Sequence, residues 1–108
     1  MRSQLTKGLA RRVMYLENKD GHIEGVAARI GWVSFSKTGK TIYYRDRVLQ
    51  KAKGGGVRGN FFDVESGEEF WISGVKQRGS NMHPAESGVT VEVDADAVDE
   101  YRSIRLSL

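Results

Sequence analysis

Glycine placement constrains this chain more than any other feature. Thirteen glycines and one proline punctuate 108 residues, and between them lie runs in which apolar and polar residues alternate. Closely spaced glycines mark turns and weaken helices, while period-two alternation is the pattern of half-buried strands. Val13, Tyr15 and Glu17 alternate with Met14 and Leu16, so 12–18 reads as a strand and Asn18-Lys19-Asp20-Gly21 as the turn after it. Further strands are expected over about 25–36, 41–45, 48–52, 61–64, 69–75 and 89–93. Ala95 to about Arg102 reads as a short helix, with Asp94 as N-cap and Asp96 in the first turn, where a carboxylate suits the helix dipole. Short strands joined by glycine turns predict a mainly β fold: a small β-barrel or rolled sheet of SH3-like size with a short C-terminal α-helix. The length allows one modest core, in a single domain over 13–108, behind a basic leader over 1–12 that is expected to be flexible.

Two hairpins share one design. Ser36-Lys37-Thr38-Gly39-Lys40-Thr41-Ile42-Tyr43 aligns with Val64-Glu65-Ser66-Gly67-Glu68-Glu69-Phe70-Trp71. A type I turn followed by a left-handed glycine accounts for both. That register opposes Val64 to Glu68 and Phe62 to Phe70, placing Phe62, Val64, Phe70 and Ile72 on the core face. In the first hairpin it turns Ile30, Trp32, Ile42 and Tyr44 inward. Val33, Phe35, Tyr43, Phe61 and Trp71 then make up a second face. Either the C-terminal helix covers that face through Val98 and Tyr101, or it is an aromatic platform beside Lys37, Lys40, Arg45, Arg47 and Arg58. Stacked bases favour such platforms, and aromatic and arginine side chains also anchor protein interfaces.

Charge is small in sum and uneven in placement. The net charge is +3, but Met1 to Arg58 carries 13 basic and 4 acidic residues, and Gly59 to Leu108 carries 4 basic and 10 acidic. Such asymmetry suits a surface that meets phosphate backbones or an acidic protein. A mean hydropathy of -0.48, and no run near the ~18 apolar residues of a span, argue against a membrane partner. With no signal-length apolar stretch after the first residues, a cytoplasmic location is expected.

Motifs for catalysis are weak. The absence of cysteine excludes disulfides, zinc–thiolate sites and cysteine nucleophiles. Gly39-Lys40-Thr41 ends like a phosphate loop, but that motif needs glycine where Ser34 stands, and a strand leading into a helix. Gly54-Gly55-Gly56-Val57-Arg58-Gly59 leads into a strand and reads as a flexible loop. His22 and His83 are too far apart to form a metal motif. Ser80 to Glu86 gathers hydroxyl, imidazole and carboxylate, but a triad is defined by geometry rather than adjacency. No catalytic residue, metal or cofactor is expected.

Phe35-Ser36-Lys37-Thr38-Gly39-Lys40-Thr41-Ile42-Tyr43-Tyr44, together with the stretch from Asn60-Phe61-Phe62-Asp63-Val64 through Phe70-Trp71-Ile72-Ser73-Gly74-Val75-Lys76, resembles a family of short uncharacterised bacterial proteins. The resemblance runs from about Met14 to Glu86 and implies no activity. After Trp71-Ile72-Ser73-Gly74 the family favours Lys-Lys-Asp-Gly-x-Asp-Arg, whereas Lys76-Gln77-Arg78-Gly79-Ser80-Asn81-Met82 here lacks both acidic positions.

The expected function is therefore binding without catalysis. One candidate partner is nucleic acid or another polyanion on a surface of Lys37, Lys40, Tyr43, Arg45, Arg47, Lys53, Arg58, Phe61 and Trp71. The alternative is an acidic protein, with the chain as an immunity- or antitoxin-like inhibitor or an assembly component.

Overall fold

Strand order follows chain order. The computed structural model describes residues 8–53, 58–77 and 89–106. The strands are β1 (Ala10–Asn18), β2 (Ala28–Phe35), β3 (Thr41–Tyr44), β4 (Arg47–Lys51), β5 (Phe61–Asp63), β6 (Glu69–Gly74) and β7 (Val91–Val93). A 3-10 turn at Ala95–Ala97 leads into the helix α1 (Val98–Leu106). β1 to β6 pair antiparallel, each with the next, and β6 returns to β1 through Met14↔Gly74 to Asn18↔Phe70. The sheet is thus a closed six-stranded antiparallel barrel, and closure leaves few free edges. β7 is the addition: it lies parallel to the first half of β2, Ala28↔Val91 to Ile30↔Val93. The second half of β2 pairs with β3 instead, Ser34↔Tyr43 and Phe35↔Ile42.

Two apolar layers result. The barrel interior holds Met14, Leu16, Ile23, Val33, Ile42, Tyr44, Leu49, Phe61, Phe70 and Ile72, with Phe35 against them. Outside β1, β2 and β6, a second layer joins Val13, Tyr15, Ala28, Ile30 and Ala97 to Trp32, Trp71, Tyr101 and Ile104. β1 and β2 are therefore covered on both faces, which explains the unbroken apolar run Val13 to Leu16. Each Leu- or Phe-sized side chain so buried contributes roughly 1.5–3 kcal/mol. A thin barrel gains much from this second layer.

The hairpin register differs from the expected one by a single residue. Phe61 opposes Phe70 and Phe62 opposes Glu69, so Phe61 and Asp63 turn inward and Phe62 and Val64 turn out. Asp63 causes the shift. Its carboxylate accepts the backbone N–H groups of Glu65 (2.8 Å) and Ser66 (3.2 Å), starting the loop one residue earlier than a turn centred on Gly67 requires. In the first hairpin the Ser36 hydroxyl occupies the equivalent place and accepts from Thr41 N–H at 3.1 Å. There, too, one strand turns over. Val33 and Phe35 join Ile42 and Tyr44 inside, while Ile30 and Trp32 lie in the outer layer.

Three smaller expectations also change. Residues 10–12, assigned to the leader, belong to β1 and pair with β2; residues 1–7 lie outside the described residues. The helical segment runs to Leu106 rather than Arg102. Asp94 makes no side-chain cap bond to it, because its carboxylate is engaged elsewhere.

Candidate functional site

Closure of the barrel sorts the charges onto two ends. One end collects the β1–β2 loop, the tight turn between β3 and β4, the β5–β6 loop and Asp94. The other collects the start of β1, the β2–β3 hairpin, the end of β4 and the end of β6.

At the first end, arginines meet carboxylates. Asp94 is buried at the point where β2 leaves β7 for β3. Its Oδ2 accepts the Tyr44 hydroxyl at 2.5 Å, and its Oδ1 accepts Arg45 at 2.9 Å and Arg29 at 3.3 Å. Gly31 makes the space: a Cβ there would fall 2.2 Å from Asp94 Oδ2 and 2.9 Å from the Tyr44 ring. Burial, then the bond to Asp94, push the Tyr44 hydroxyl pKa well above the usual phenol range. Burial opposes the charge on Arg45, but its bonds to Tyr44 and Asp94 outweigh that and hold it protonated.

Arg47 closes the same end beside them. Its guanidinium lies 5.0 Å from the Phe70 ring centroid and bonds Asp63 at 2.8 Å and Glu68 at 3.0 Å. Burial alone would raise the Asp63 pKa, yet the N–H groups of Glu65 and Ser66 and then Arg47 bring it below the ordinary value. Arg47 also lowers Glu68. Arg58 pairs with Asp20 and donates to the Lys19 carbonyl at 2.9 Å. Next to it, Gly59 sits so close to β6 that a Cβ would fall 2.3 Å from the Phe70 carbonyl oxygen.

The other end carries cations that pair with no carboxylate among the described residues, although Glu100 shares a cleft with Arg11 and Arg12. Arg11 and Arg12 begin β1, Lys37 and Lys40 flank the hairpin tip, and Lys51 and Lys53 end β4; all six are exposed. Among the described residues, no salt bridge involves any of them. A surface groove of about 300 Å³ is lined by Lys40, Thr41, Gln50, Lys51, Ala52 and Lys53. Arg11 stacks on Trp32, 4.7 Å from the ring centroid.

The nine residues singled out from sequence therefore divide. Lys37, Lys40 and Lys53 come together at the open cationic end. Tyr43 lies half-buried on the outer barrel face, on the same side of β3 as Thr41. Arg45, Arg47 and Arg58 are committed to carboxylates at the opposite end. Phe61 is inside the barrel and does not reach a surface, a consequence of the register set by Asp63. Trp71 does lie on the outer face, but it packs half-buried against the same outer apolar cluster as Tyr101 and Ile104. The single aromatic platform on the second face does not form. Lys51, Thr41 and Gln50 were missed by sequence reasoning; Thr41 follows Lys40 in the chain, and the pairing of β3 with β4 brings Gln50 and Lys51 beside them.

His22 is exposed, and its backbone carbonyl accepts Asn18 and Arg47. His83, the Ser80–Glu86 stretch and residues 54–57 of the glycine-rich loop lie outside the described residues. Among the described residues no three His, Asp or Glu side chains are placed to hold a metal ion, and no helix is long and apolar enough to cross a membrane. The sequence matches no protein-family model, and no curated protein or solved structure is significantly similar to it.

Proposed function

We propose that the protein is a non-enzymatic binding module that holds nucleic acid by its phosphates at the lysine end of the barrel. One observation carries this: Lys37, Lys40, Lys51 and Lys53 share an end where no carboxylate engages them among the described residues, while the arginines of the other end are engaged. Carboxylate-free lysines around a shallow groove suit phosphate, which lysine binds as a mobile point charge. Thr41 and Gln50 on the groove add neutral hydrogen-bonding groups. Flexible lysines at a rim reach phosphates more readily than base edges, so sequence selectivity is weak.

Fluorescence anisotropy with a labelled oligonucleotide tests the proposal. Affinity falls steeply between about 50 and 200 mM salt, with a log–log slope of roughly −0.9 per phosphate contact for a duplex and −0.7 for a single strand. Combining Lys37→Glu, Lys40→Glu and Lys53→Glu flattens the slope by about two to three contacts. Absence of binding at 50 mM salt overturns the proposal and leaves an acidic protein as the partner to seek.

A further inference from the structure

We infer that the outer face of β3, β4 and β5 stacks the bases of single-stranded RNA whose phosphates lie on the lysine end. The inference rests on the binding reading above and names the ligand class. Tyr43 opposes Val48 on this face, and Thr41, Gln50 and Phe62 form the next row across the three strands. Val64 follows Val48 through its N–H to the Val48 carbonyl, at 3.0 Å.

Tyr43, Val48 and Phe62 are half-buried, and Val64 is 46% exposed. None of them belongs to either apolar cluster. The second apolar layer, to which Tyr101 and Ile104 of α1 belong, lies outside β1, β2 and β6, so among the described residues two aromatic rings stand outside both apolar clusters on the face of β3, β4 and β5.

The face is cationic on its lysine side, while Glu69, opposite Phe62 on β6, has its carboxylate held by the Arg58 and Gly59 N–H groups. Lys40, Lys51 and Lys53 border the same face through the groove that Thr41 and Gln50 line. Lysine is depleted in protein interfaces, whereas aromatic rings beside lysines are the arrangement that holds a single strand, because every base offers a π-face. Neighbouring strands are about 4.8 Å apart, so Tyr43 on β3 and Phe62 on β5 stand roughly 10 Å or more apart. They are placed to take separate bases rather than to stack on each other. A duplex keeps its bases stacked within and cannot use them. Between the rings, the Thr41 hydroxyl and Gln50 amide make no side-chain hydrogen bond among the described residues. A hydroxyl and an amide there can hydrogen-bond a ribose 2′-hydroxyl, the group by which a protein tells RNA from DNA.

Three labelled 12-mers at one low salt concentration test this: oligo-U RNA, oligo-dT DNA, and an abasic sugar–phosphate chain of equal length. Oligo-U binds at least tenfold tighter than the abasic chain, since one stacked base is worth roughly 5- to 150-fold. Phe62→Leu and Tyr43→Leu each keep apolar cover but remove the π-face. Each reduces oligo-U affinity several-fold, leaves the abasic chain unchanged and melts like the parent. Equal affinity for oligo-U and the abasic chain overturns stacking while leaving the phosphate reading intact. Equal affinity for oligo-dT overturns the choice of RNA, and binding of none of the three overturns both readings.

Discussion

The two ends of the barrel use positive charge in opposite ways. At one end, Arg29, Arg45, Arg47 and Arg58 each meet a carboxylate, and the partners come from distant parts of the chain. At the other, Lys37, Lys40, Lys51 and Lys53 meet none among the described residues. The guanidinium fork fits a carboxylate with fixed geometry, while an ammonium on a four-carbon stem stays hydrated and mobile. Arginine does most of the fastening, joined at the same end by Lys19, which pairs with Glu17 at 3.0 Å, whereas Lys37, Lys40, Lys51 and Lys53 stay exposed at the other. Part of the charge asymmetry between the two halves is met by this fastening, since Asp63, Glu68 and Asp94 pair with Arg29, Arg45 and Arg47 from the first half.

The comparison breaks first at Asp94. Asp94→Ala removes the acceptor of the Tyr44 hydroxyl, Arg29 and Arg45 together, at a place where Tyr44 is 2% exposed. Removing one partner from a buried charged network costs about 3–5 kcal/mol. Urea unfolding should show a loss of that size. A loss below about 1 kcal/mol would mean that β7 and α1 are held by apolar packing alone.

Arg47→Ala comes next. Arg47 retains about a quarter of its side-chain exposure, but Asp63 is nearly buried. The expected cost is about 2–3 kcal/mol, below that of a fully buried pair because solvent screens the cation. Arg47→Met, which restores cover over the Phe70 ring but not the charge, separates packing from ion pairing: recovery of most of the loss would assign the effect to packing.

Acid sharpens the contrast between the ends. Asp63, Glu68 and Asp20 have folded pKa values below their unfolded ones, near 3.8, 4.5 and 3.8 respectively. A depressed carboxylate contributes stability that is fully present above its unfolded pKa and disappears as pH falls through its folded pKa. Stability measured by denaturant should therefore hold from pH 7 to about 5 and drop below about 4. In Arg47→Ala the drop should be shallower, because Arg47 is the main cause of the Glu68 shift and contributes to that of Asp63. An unchanged acid limb would place the sensitivity elsewhere.

Much of this fold was legible in the residues, and the candidate site was not. Glycine turns and alternation marked the strands within a few positions, because each is a local property of the backbone. Faces were harder: one residue of register turns a strand over, and the deciding group, the Asp63 carboxylate, acts through a turn bond that competes with the glycine signal. Reading Asp63 as the start of an Asx turn would have moved Phe62 outward and Phe61 inward. That Trp71 shares an apolar layer with Tyr101 agrees with one of the two expected outcomes only in part, since Val33, Phe35 and Phe61 of the same expected face went inside the barrel instead. The sorting of cations was not visible, because it depends on β6 closing against β1. Until the ends are fixed, Arg45 and Lys40 look like members of one basic stretch.

The smallest expected effect is the most telling for the comparison. If the lysines are not fasteners, replacing them changes almost nothing in the folded protein alone. Lys40→Glu with Lys53→Glu should alter unfolding free energy by no more than about 0.5 kcal/mol, the usual range for surface positions without partners. The sign should be slightly favourable at low salt, because Lys51 between them gains an opposite charge, and the difference should vanish as salt rises. A loss above about 1 kcal/mol would show that these side chains are structural after all, and the division between a fastened end and an open end would fail. With stability unchanged, any loss of oligonucleotide binding by the same variant is attributable to the surface itself, because the arginine end that holds the barrel closed has not been touched.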